Sequence, residues 1–556
     1  MNWIKDLEAL LEGEVSFDSK IILEHSQDAS IFQVMPNLVV FPKNFRDLQK
    51  LMRFVNRFNR RASSWKKAQK YPLKLTLTAR AAGTCMSGGP LTQSIVVSFT
   101  KYMNKLVSLN PKVAVVEPGL YYHEMEKAMN RKKLYFPSFP ASKSICALGG
   151  MIANNAGSEK NMLHGQTVEH VKSLNVLLSD GNVYDFGPLT KKQLNMKLRK
   201  DNFEGKVYRK MYQLLEENYD LIKNAAPKTS KNSCGYLLWK VWDRDTGVFD
   251  LSKIFVGSQG TLGLWSQAKV AVVRRKNHSR LIAVYLKDLK DMAGLVKMLL
   301  PYAPNSLESF DRNTMLLGLR FMPQIARKTG KGLLKMLFSF WREALLMLRH
   351  GLPVFIVLVE ISENRLVELK KRIVQVDAVL KNSKIPHLVM QSSQESEKYW
   401  TIRRESFSLL REHVKGKQTV PFVDDFAVLP SELPVFLPKL YNLLKSHGIK
   451  PTLAGHAGDG NFHVIPLMDL KDKKERDKIP VVLKDFVDLV LAHGGTITAE
   501  HNDGLIRTSF VEKQYGPKMT RLFEKVKDIF DPQNVFNPGK KVYGDFKFAM
   551  KHVKTK

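Results

Sequence analysis

The sequence predicts an α+β protein that is divided into more than one domain. Its 556 residues are too many for a single hydrophobic core and indicate two or three domains. Hydrophobic residues make up 44% and charged residues 25%, which is typical of a soluble globular protein. Short apolar strands, helices and small-residue loops alternate up to about residue 275, and no glycine loop then occurs until residue 455. We therefore expect a domain boundary near residue 276.

The periodicity of apolar residues predicts the elements in order. Residues 1 to about 30 predict a short helix and a linker. The stretch "NLVVFPKNFRDLQKLMRFVNRFN" predicts a strand, a proline break and a helix. Two β-rich stretches follow at 73–78 and 94–99, and the Lys-rich stretch 190–232 predicts a helical insertion. After residue 276 helices alternate with strands such as "PVFIVLVEI".

Three loops of small residues indicate a ligand site in the first half of the chain. They are "ARAAGTCMSGG", "PASKSICALGGMIANNAGS" and "VGSQGTLG". Small side chains let backbone N–H groups approach a pyrophosphate or a planar ring closely. Any one of these loops is compatible with an ordinary tight turn, but the three together favour a ligand.

Charge and cysteine content restrict the partners and the compartment. A net charge of +34 attracts nucleic acid, anionic lipid or small acids, and a host whose proteins are all basic explains it equally well. No nucleic-acid-binding module is visible, so we expect no specific nucleic-acid partner. Three cysteines without a CxxC pair predict neither disulfides nor an iron–sulfur cluster. The first residues, "MNWIKDLEALLEG", do not resemble a signal peptide, so we expect a cytoplasmic protein.

The stretch "GHAGDGNFH" places two histidines seven residues apart, at His456 and His463. Its three glycines disfavour a helix, and the apolar "FHVIPL" predicts a turn that leads into a strand. Such a bend would bring the two imidazoles together, as a divalent metal requires. A lone histidine is more often hydrogen-bonded in a core or a loop, so other ligands are needed.

Nine motifs in order give the chain a family resemblance. They are "PNLVVFP", "ARAAGTCMSGG", "GGMIANNAG", "LLSDGNVYDFG", "CGYLL", "VGSQGTLG", "GHAGDGNFH", "TAEHNDG" and "FDPQNVFNPGK". Over residues 31 to 541 the chain resembles the FAD-linked 2-hydroxyacid dehydrogenases of the D-lactate dehydrogenase and glycolate oxidase flavin-subunit group. The resemblance implies a two-subdomain PCMH-type FAD-binding domain over 31–275. It also implies an α+β substrate domain with an antiparallel sheet over 276–541, followed by a basic tail at 542–556.

The resemblance implies that FAD binds along the three loops. The first loop would wrap the pyrophosphate, the second would follow the ribityl chain and flavin ring, and the third would close over the adenine half. Asn537 would reach back toward the ring. No histidine stands in the first loop where some relatives attach the flavin, so we expect non-covalent FAD. The implied FAD-binding residues are Arg80, Ala82, Gly83, Thr84, Ser87, Gly88, Pro140, Ser142, Gly149, Gly150, Asn154, Ala156, Gly157, Gly257, Ser258, Gly260, Thr261, Gly263 and Asn537.

The same resemblance assigns the substrate site. His456, His463 and Glu500 would bind a divalent metal, zinc or manganese or iron, and His501 would be the general base. Arg403 would bind the substrate carboxylate, with a surface ion pair to Glu405 as the alternative role and Arg404 as the alternative residue. The implied reaction oxidises a D-2-hydroxy acid, D-lactate or similar, to the 2-oxo acid.

The chain departs from the family pattern at several positions. Ala81, Ala147 and Gln259 replace the usual Gly, Thr and Glu of the flavin loops. Asn502 and Asp503 follow the catalytic histidine, and Ile465 stands where some relatives have a substrate-binding Asn. Two other functions stay open: an FAD-dependent transferase of the ether-lipid synthase type, which catalyses no net oxidation, and a basic binding protein on a degenerate flavoprotein scaffold.

The electron acceptor must lie outside the chain, because no cluster ligands or nicotinamide fingerprint are visible. The acceptor would be a quinone or a partner protein. Residues 331–350, "KGLLKMLFSFWREALLMLRH", predict a mostly apolar helix with a narrow basic stripe. Such a helix either lies in a membrane surface or packs on the sheet of the substrate domain. The first alternative would make the protein peripheral on the inner face of the membrane. The sequence predicts no oligomeric state.

Overall fold

The computed structural model describes residues 2–62, 74–328, 338–413, 416–449 and 451–555. It confirms the expected α+β fold, with antiparallel and mixed sheets and, within these described ranges, no closed barrel. The helices are Asn2–Leu10, Ser19–His25, Phe45–Ala62, Tyr122–Asn130, Leu148–Asn154, Asn161–His164, Thr167–His170, Lys191–Leu198, Phe203–Glu217, Tyr219–Asn224, Ser252–Phe255, Asp291–Leu299, Arg312–Arg320, Met322–Lys328, Trp341–His350, Leu366–Asn382, Ser393–His413, Leu433–Ser446, Lys473–Ala492, Gly504–Arg507, Val511–Phe530 and Phe546–Lys551.

The first sheet has four strands in the order β1-β2-β4-β3. Its central strands β2 and β4 are continuous apolar runs that are fully buried, as expected for parallel strands covered on both faces. Leu48, Leu51, Met52 and Val55 of the helix Phe45–Ala62 belong to the same core, as their spacing predicts, whereas Phe45 is exposed. The strands are β1 (Glu14–Ser16), β2 (Leu38–Phe41), β3 (Leu77–Arg80) and β4 (Ile95–Ser98).

The second sheet is antiparallel, with five strands in the order β5-β6-β13-β8-β9. The expected insertion at 190–232 contributes the helices Lys191–Leu198, Phe203–Glu217 and Tyr219–Asn224. The strands are β5 (Leu106–Leu109), β6 (Val113–Val116), β8 (Val171–Leu177), β9 (Val183–Phe186) and β13 (Leu264–Ala271). Two small sheets accompany it, formed by β7 (Leu134–Tyr135) with β14 (Val273–Arg274), and by β10 (Pro188–Leu189), β11 (Trp242–Asp243) and β12 (Val248–Asp250).

The third large sheet is antiparallel and carries the helices of the C-terminal half on its surface. Its strand order is β18-β15-β17-β16-β21-β22-β19, and β20 pairs with β22. The hairpin of β21 and β22 contains the two histidines of "GHAGDGNFH". The strands are β15 (His278–Leu286), β16 (Ser306–Asp311), β17 (Phe355–Glu363), β18 (His387–Val389), β19 (Gln418–Thr419), β20 (Phe426–Ala427), β21 (Pro451–His456) and β22 (Asn461–Met468).

Both chain termini are more closely integrated than the sequence suggests. Strand β1 lies within the expected linker and pairs with β2, so residues 14–16 extend the first sheet. The C-terminal stretch forms the helix Phe546–Lys551, and Val553 forms a β-bridge with Phe32. Both segments are held mainly by backbone pairing and partly buried side chains, for which the sequence carries no periodic signal.

The apolar segment 331–350 is described only in part. Residues 331–337 of the expected helix lie outside the described residues, and the described part contains the helix Trp341–His350. Its inner face packs on the core through Phe340, Leu346 and Met347. Among the described residues no helix is both long and apolar enough to cross a membrane.

Candidate functional site

The three small-residue loops meet in one cleft between the first and second sheets. The cleft contains about 860 Å³ of empty space, part of it open to solvent. Its walls come from β3 on one side and from β8 and β13 on the other. The expected FAD-binding residues that line it are Arg80, Ala82, Gly83, Thr84, Gly149, Gly150, Asn154, Ser258, Gly260 and Gly263.

The backbone of the first loop is shaped for a close approach. Gly83 has φ 70°, and a Cβ there would overlap the guanidinium of Arg80. The loop can therefore bend over Arg80 only if position 83 is glycine. Gly150 of the second loop is open, since a Cβ added there would meet no atom within 4 Å. A bend of small residues that lies over the guanidinium of Arg80 suits the binding of a pyrophosphate group.

Other residues that the resemblance assigns to FAD do not line this cleft. Asn537 joins two loops instead, since its Nδ2 donates to the carbonyls of Gly89 at 3.0 Å and Gln259 at 2.7 Å. Gln259 and Cys85, which the sequence analysis did not assign to FAD, do line the cleft. Contact with FAD stays a prediction for the residues away from it, which are Ser87, Gly88, Pro140, Ser142, Ala156, Gly157, Gly257, Thr261 and Asn537.

The two histidines of the hairpin converge on Glu500. Ala454 pairs with His463, and His456 pairs with Asn461, around a short 3-10 turn at Ala457–Asp459. Oε1 of Glu500 lies 3.5 Å from Nε2 of His456 and 3.2 Å from Nε2 of His463. The structure therefore brings the three expected metal ligands together.

A carboxylate lies beside the Nδ1 atom of each imidazole. Nδ1 of His456 lies 2.6 Å from Glu308, and Nδ1 of His463 lies 3.2 Å from Asp424. Nδ1 of His501 lies 2.9 Å from the other oxygen of Asp424. A carboxylate on Nδ1 fixes the ring and leaves Nε2 for a metal, which is the usual arrangement around metal-binding histidines.

The loop that carries Glu500 and His501 is fixed by Asp425. One carboxylate oxygen of Asp425 accepts the backbone N–H groups of Ala499 at 3.1 Å, Glu500 at 2.9 Å and His501 at 2.6 Å. Ligand atoms of Asp425, His463, Glu500 and His501 all lie within 4.8 Å of one another. This loop therefore presents its two functional side chains on one side of a buried carboxylate.

The electrostatics of the cluster also fit a cation. Burial would lower the pKa of His463, but Asp424 and Glu500 raise it to about 10. Burial would also lower the pKa of His501, but Asp425 and Asp424 raise it. The surrounding carboxylates thus favour the protonated forms of His463 and His501 when no other cation is present. A divalent ion would balance the same charge.

Lys231 also belongs to this cluster, although it is not among the site residues predicted from the sequence. Its side chain is fully buried, and Nζ lies 3.1 Å from Oε2 of Glu500 and 3.1 Å from Oδ1 of Asn461. Lys231 therefore holds one oxygen of Glu500 while the other faces the histidines. It stands three residues before the motif "CGYLL", which is the signal that could have identified it.

The three small-residue loops contact the histidine cluster through residues that lie outside the cleft. A Cβ on Gly157, in the second loop, would overlap Oε2 of Glu500. Ser87 of the first loop donates to the carbonyl of His501 at 3.0 Å. Asn502 donates to the carbonyl of Gly257 in the third loop at 2.8 Å. Substrate bound at the histidines would therefore lie beside the loops that line the cleft.

Arg403 lies on the helix Ser393–His413 and pairs with Glu308, the carboxylate that also binds His456. The side chain of Arg403 is only 7% exposed, which disagrees with the alternative of a surface ion pair. The side chains of Arg404 and Glu405 lie outside the described part of the chain. Arg403 is therefore connected to His456 through one shared carboxylate.

Two family models match the chain. Residues 36–187 match the FAD binding domain, and residues 275–541 match the C-terminal domain of FAD linked oxidases. The D-lactate dehydrogenase of Archaeoglobus fulgidus is 23% identical over 98% of this chain and 99% of its own length. The glycolate oxidase subunit GlcD of Bacillus subtilis is 23% identical, covering 97% and 96%.

A longer relative and a solved structure complete the comparison. The D-2-hydroxyglutarate dehydrogenase of Escherichia coli is 25% identical over 97% of this chain. The match covers 51% of that protein, so the chain spans about half the length of the first relatives it matches. The structure of p-cresol methylhydroxylase covers 97% of this chain and 96% of its own, with a TM-score of 0.66 and 13% identity. The similarity confirms the PCMH-type FAD-binding fold.

Proposed function

We infer that this chain, which belongs to the FAD-linked oxidases of the 2-hydroxy acid dehydrogenase group, oxidises a D-2-hydroxy acid to the 2-oxo acid. The observation that supports this function best is the convergence of His456, His463 and Glu500 next to the loops of the FAD cleft. Bound FAD would supply hydride acceptance, and a bound divalent ion would supply Lewis acidity.

The residues of the chain divide the remaining work. Arg403 would bind the substrate carboxylate, because its Nε is buried without a hydrogen-bond partner in the described part of the chain. His501 would remove the hydroxyl proton. The carboxylates around His501 favour its protonated form, so its action as a base requires a cation that balances them.

We propose that the metal ligands are His456, His463 and Glu500 and that the ion is zinc, manganese or iron. Two imidazoles and a carboxylate form a ligand set that suits such ions and leaves positions for the oxygens of a substrate. Asp425 would fix the loop rather than bind the ion, because one oxygen of its carboxylate already accepts hydrogen bonds from three backbone N–H groups.

Within the substrate class we propose D-lactate or a similarly small acid. Side chains alternate along β22, so Ile465 lies on the same face of the strand as His463. Ile465 is buried and apolar, which favours a methyl substituent over a second carboxylate. A longer dicarboxylate, as the name of the Escherichia coli relative indicates for that protein, is the competing substrate.

We propose non-covalent FAD and an external electron acceptor, which is a quinone or a partner protein. The buried Cys146 and Cys234 and the half-buried Cys85 are free thiols, which suits the reducing environment of the cytoplasm. Acid precipitation should release the flavin into the supernatant. Colour that remains in the pellet would contradict the non-covalent attachment.

Anaerobic reduction of the flavin tests the proposed reaction. D-lactate, glycolate and D-2-hydroxyglutarate should be compared, with L-lactate as the stereochemical control and the His501→Ala protein as the catalytic control. We expect D-lactate to bleach the flavin absorbance most rapidly. If none of the acids reduces FAD-loaded, metal-loaded protein, the reaction is wrong, and transferase activity of the ether-lipid synthase type becomes the next assay.

A further inference from the structure

Exposed apolar side chains form a surface where the helix Arg312–Arg320 adjoins the end of the helix Trp341–His350, since Arg312 donates hydrogen bonds to the carbonyls of Leu352 and Pro353. Its large side chains are Leu316 and Leu319 on the helix Arg312–Arg320, and Phe338, Trp341, Leu345, Leu348 and Leu352 on or beside the helix Trp341–His350. Exposure reaches 79% for Phe338 and 83% for Leu348. Scattered exposed apolar residues are ordinary, but such a concentration marks an interaction surface. We call these seven residues the apolar surface.

The helix Trp341–His350 is fixed to the protein by its opposite face. Glu343 is buried, lies 2.5 Å from Nζ of Lys398 and accepts a hydrogen bond of 2.6 Å from the hydroxyl of Tyr399. Phe340 and Met347 pack on the core beside this network. The residues 338, 341, 345 and 348 recur at helical spacing and point away from this anchor. They are not required for the attachment of the helix.

The exposed charges on the two helices that carry the apolar surface have one sign, although Arg342 pairs with Glu395 of the helix Ser393–His413. Residues 312–352 contain eight Lys and Arg residues and one acidic residue, Glu343. That acid is buried, whereas Arg312, Arg320, Arg327 and Arg349 are exposed. Apolar side chains among exposed cations suit the boundary between the headgroups and acyl chains of an anionic bilayer. An acidic protein would match the cations but would leave the leucines and aromatic residues without a role.

We propose that the apolar surface docks on an anionic lipid bilayer, with the helix Trp341–His350 lying in the plane of the interface. Tryptophan and phenylalanine side chains would enter the headgroup region, and the arginines would pair with lipid phosphates. The docking rests on the proposed function in one respect only, which is that it would give the flavin access to an electron acceptor in the membrane. Binding itself can be measured without substrate.

Flotation with vesicles tests the docking. Vesicles of phosphatidylcholine with phosphatidylglycerol are compared with pure phosphatidylcholine, at low and at high salt. We expect the full-length FAD-loaded protein to float only with the anionic vesicles and to detach as salt rises. Each surface cation should contribute about fivefold to the partition coefficient.

Paired variants locate the contact. Leu345→Ser/Leu348→Ser should reduce binding at least tenfold, whereas Val367→Ser/Val374→Ser removes equally exposed apolar side chains elsewhere in the domain and should have no effect. Arg320→Gln/Arg349→Gln should weaken binding, and Lys370→Gln/Lys371→Gln provides the control for net charge. Phe340 is unsuitable as a probe because it packs inward. Flavin absorbance and melting temperature verify that each variant is folded.

Three outcomes would overturn the proposal. The protein could fail to float with either vesicle, or it could float equally with both. Alternatively, Leu345→Ser/Leu348→Ser could change the oligomeric state in lipid-free solution, which would show that the apolar surface contacts a second copy of the chain. Flavin bleaching without lipid tests the proposed reaction separately, so failure of one experiment does not affect the other.

Discussion

Replacement of Lys231 by methionine should make the stability of the protein depend on a divalent metal. The substitution keeps an unbranched apolar stem and removes an ammonium that is fully buried 3.1 Å from Glu500. Lys231 is the main partner that keeps the pKa of Glu500 low against the effect of burial. Without Lys231, the Oε2 atom of Glu500 has no cation beside it, and only the imidazoles beside Oε1 remain.

The expected loss of stability follows from the cost of breaking a buried ion pair. Removing one partner typically costs about 3–5 kcal/mol because a buried charge is left uncompensated. The proton on His463 offsets part of this cost, so we expect a value near the lower limit. A divalent ion between the imidazoles and Glu500 would restore the missing charge. Zinc or manganese should therefore raise the melting temperature of Lys231→Met more than that of the unaltered protein.

A second buried ion pair provides the matched control. Lys527 is as buried as Lys231 and lies 2.6 Å from Asp531, away from the histidines. Lys527→Met should lower the melting temperature without any additional rescue by metal. The assay is thermal unfolding of both variants in a chelator and with added zinc or manganese. Equal metal shifts in Lys231→Met, Lys527→Met and the unaltered protein would refute the charge-balance argument.

Three further predictions concern the same site. Gly157→Ala places a methyl group against Glu500 and should weaken divalent metal binding at least tenfold in chelator competition, with FAD retained. The pKa of His463 is raised from 6.5 to about 10. The proton on His463 therefore stabilises the ion-free protein fully below pH 6.5, and this stabilisation is lost as the pH rises through 10. Metal binding must displace this proton, so the apparent affinity should rise about tenfold per pH unit in that window, and a constant affinity would contradict the assignment. His501→Ala should keep the metal while flavin reduction slows by roughly two to four decades, whereas His456→Ala or Glu500→Ala should lose the metal as well as the activity.

The sequence predicts the local elements of the fold well because each has a short-range signal. The apolar runs of β2 and β4 and the spacing of Leu48, Leu51 and Val55 identify a sheet covered by a helix. The three loops are recognisable because small residues are required wherever backbone approaches a ligand. The order of the strands in the third sheet has no such signal, since pairing between β16 and β21 joins residues about 145 positions apart by numbering, such as Ser309 and Gly455.

The site is predicted in its ligands but not in its charge balance. His456, His463, Glu500 and His501 stand in motifs that the resemblance identifies. Glu308, Asp424 and Lys231 stand outside any motif that predicts burial, and only the fold shows that they are buried near the histidines. A buried charge is selected by its partner rather than by its neighbours along the chain, so local pattern cannot reveal it.

The glycine-rich turn between the two histidines also positions the lysine. The 3-10 turn Ala457–Asp459 ends at Gly460, which has φ 64° and whose Cβ would overlap the carbonyl of Val428. That close approach places Asp459 and Asn461 on either side of the bend, where Asn461 binds Lys231 at 3.1 Å and Asp459 lies 3.9 Å from it. One hairpin therefore supplies both histidines and two of the groups that hold the counter-charge of Glu500. A tighter two-residue turn would join the strands without Asp459, whereas Asn461 belongs to β22 opposite His456 and would remain beside Lys231.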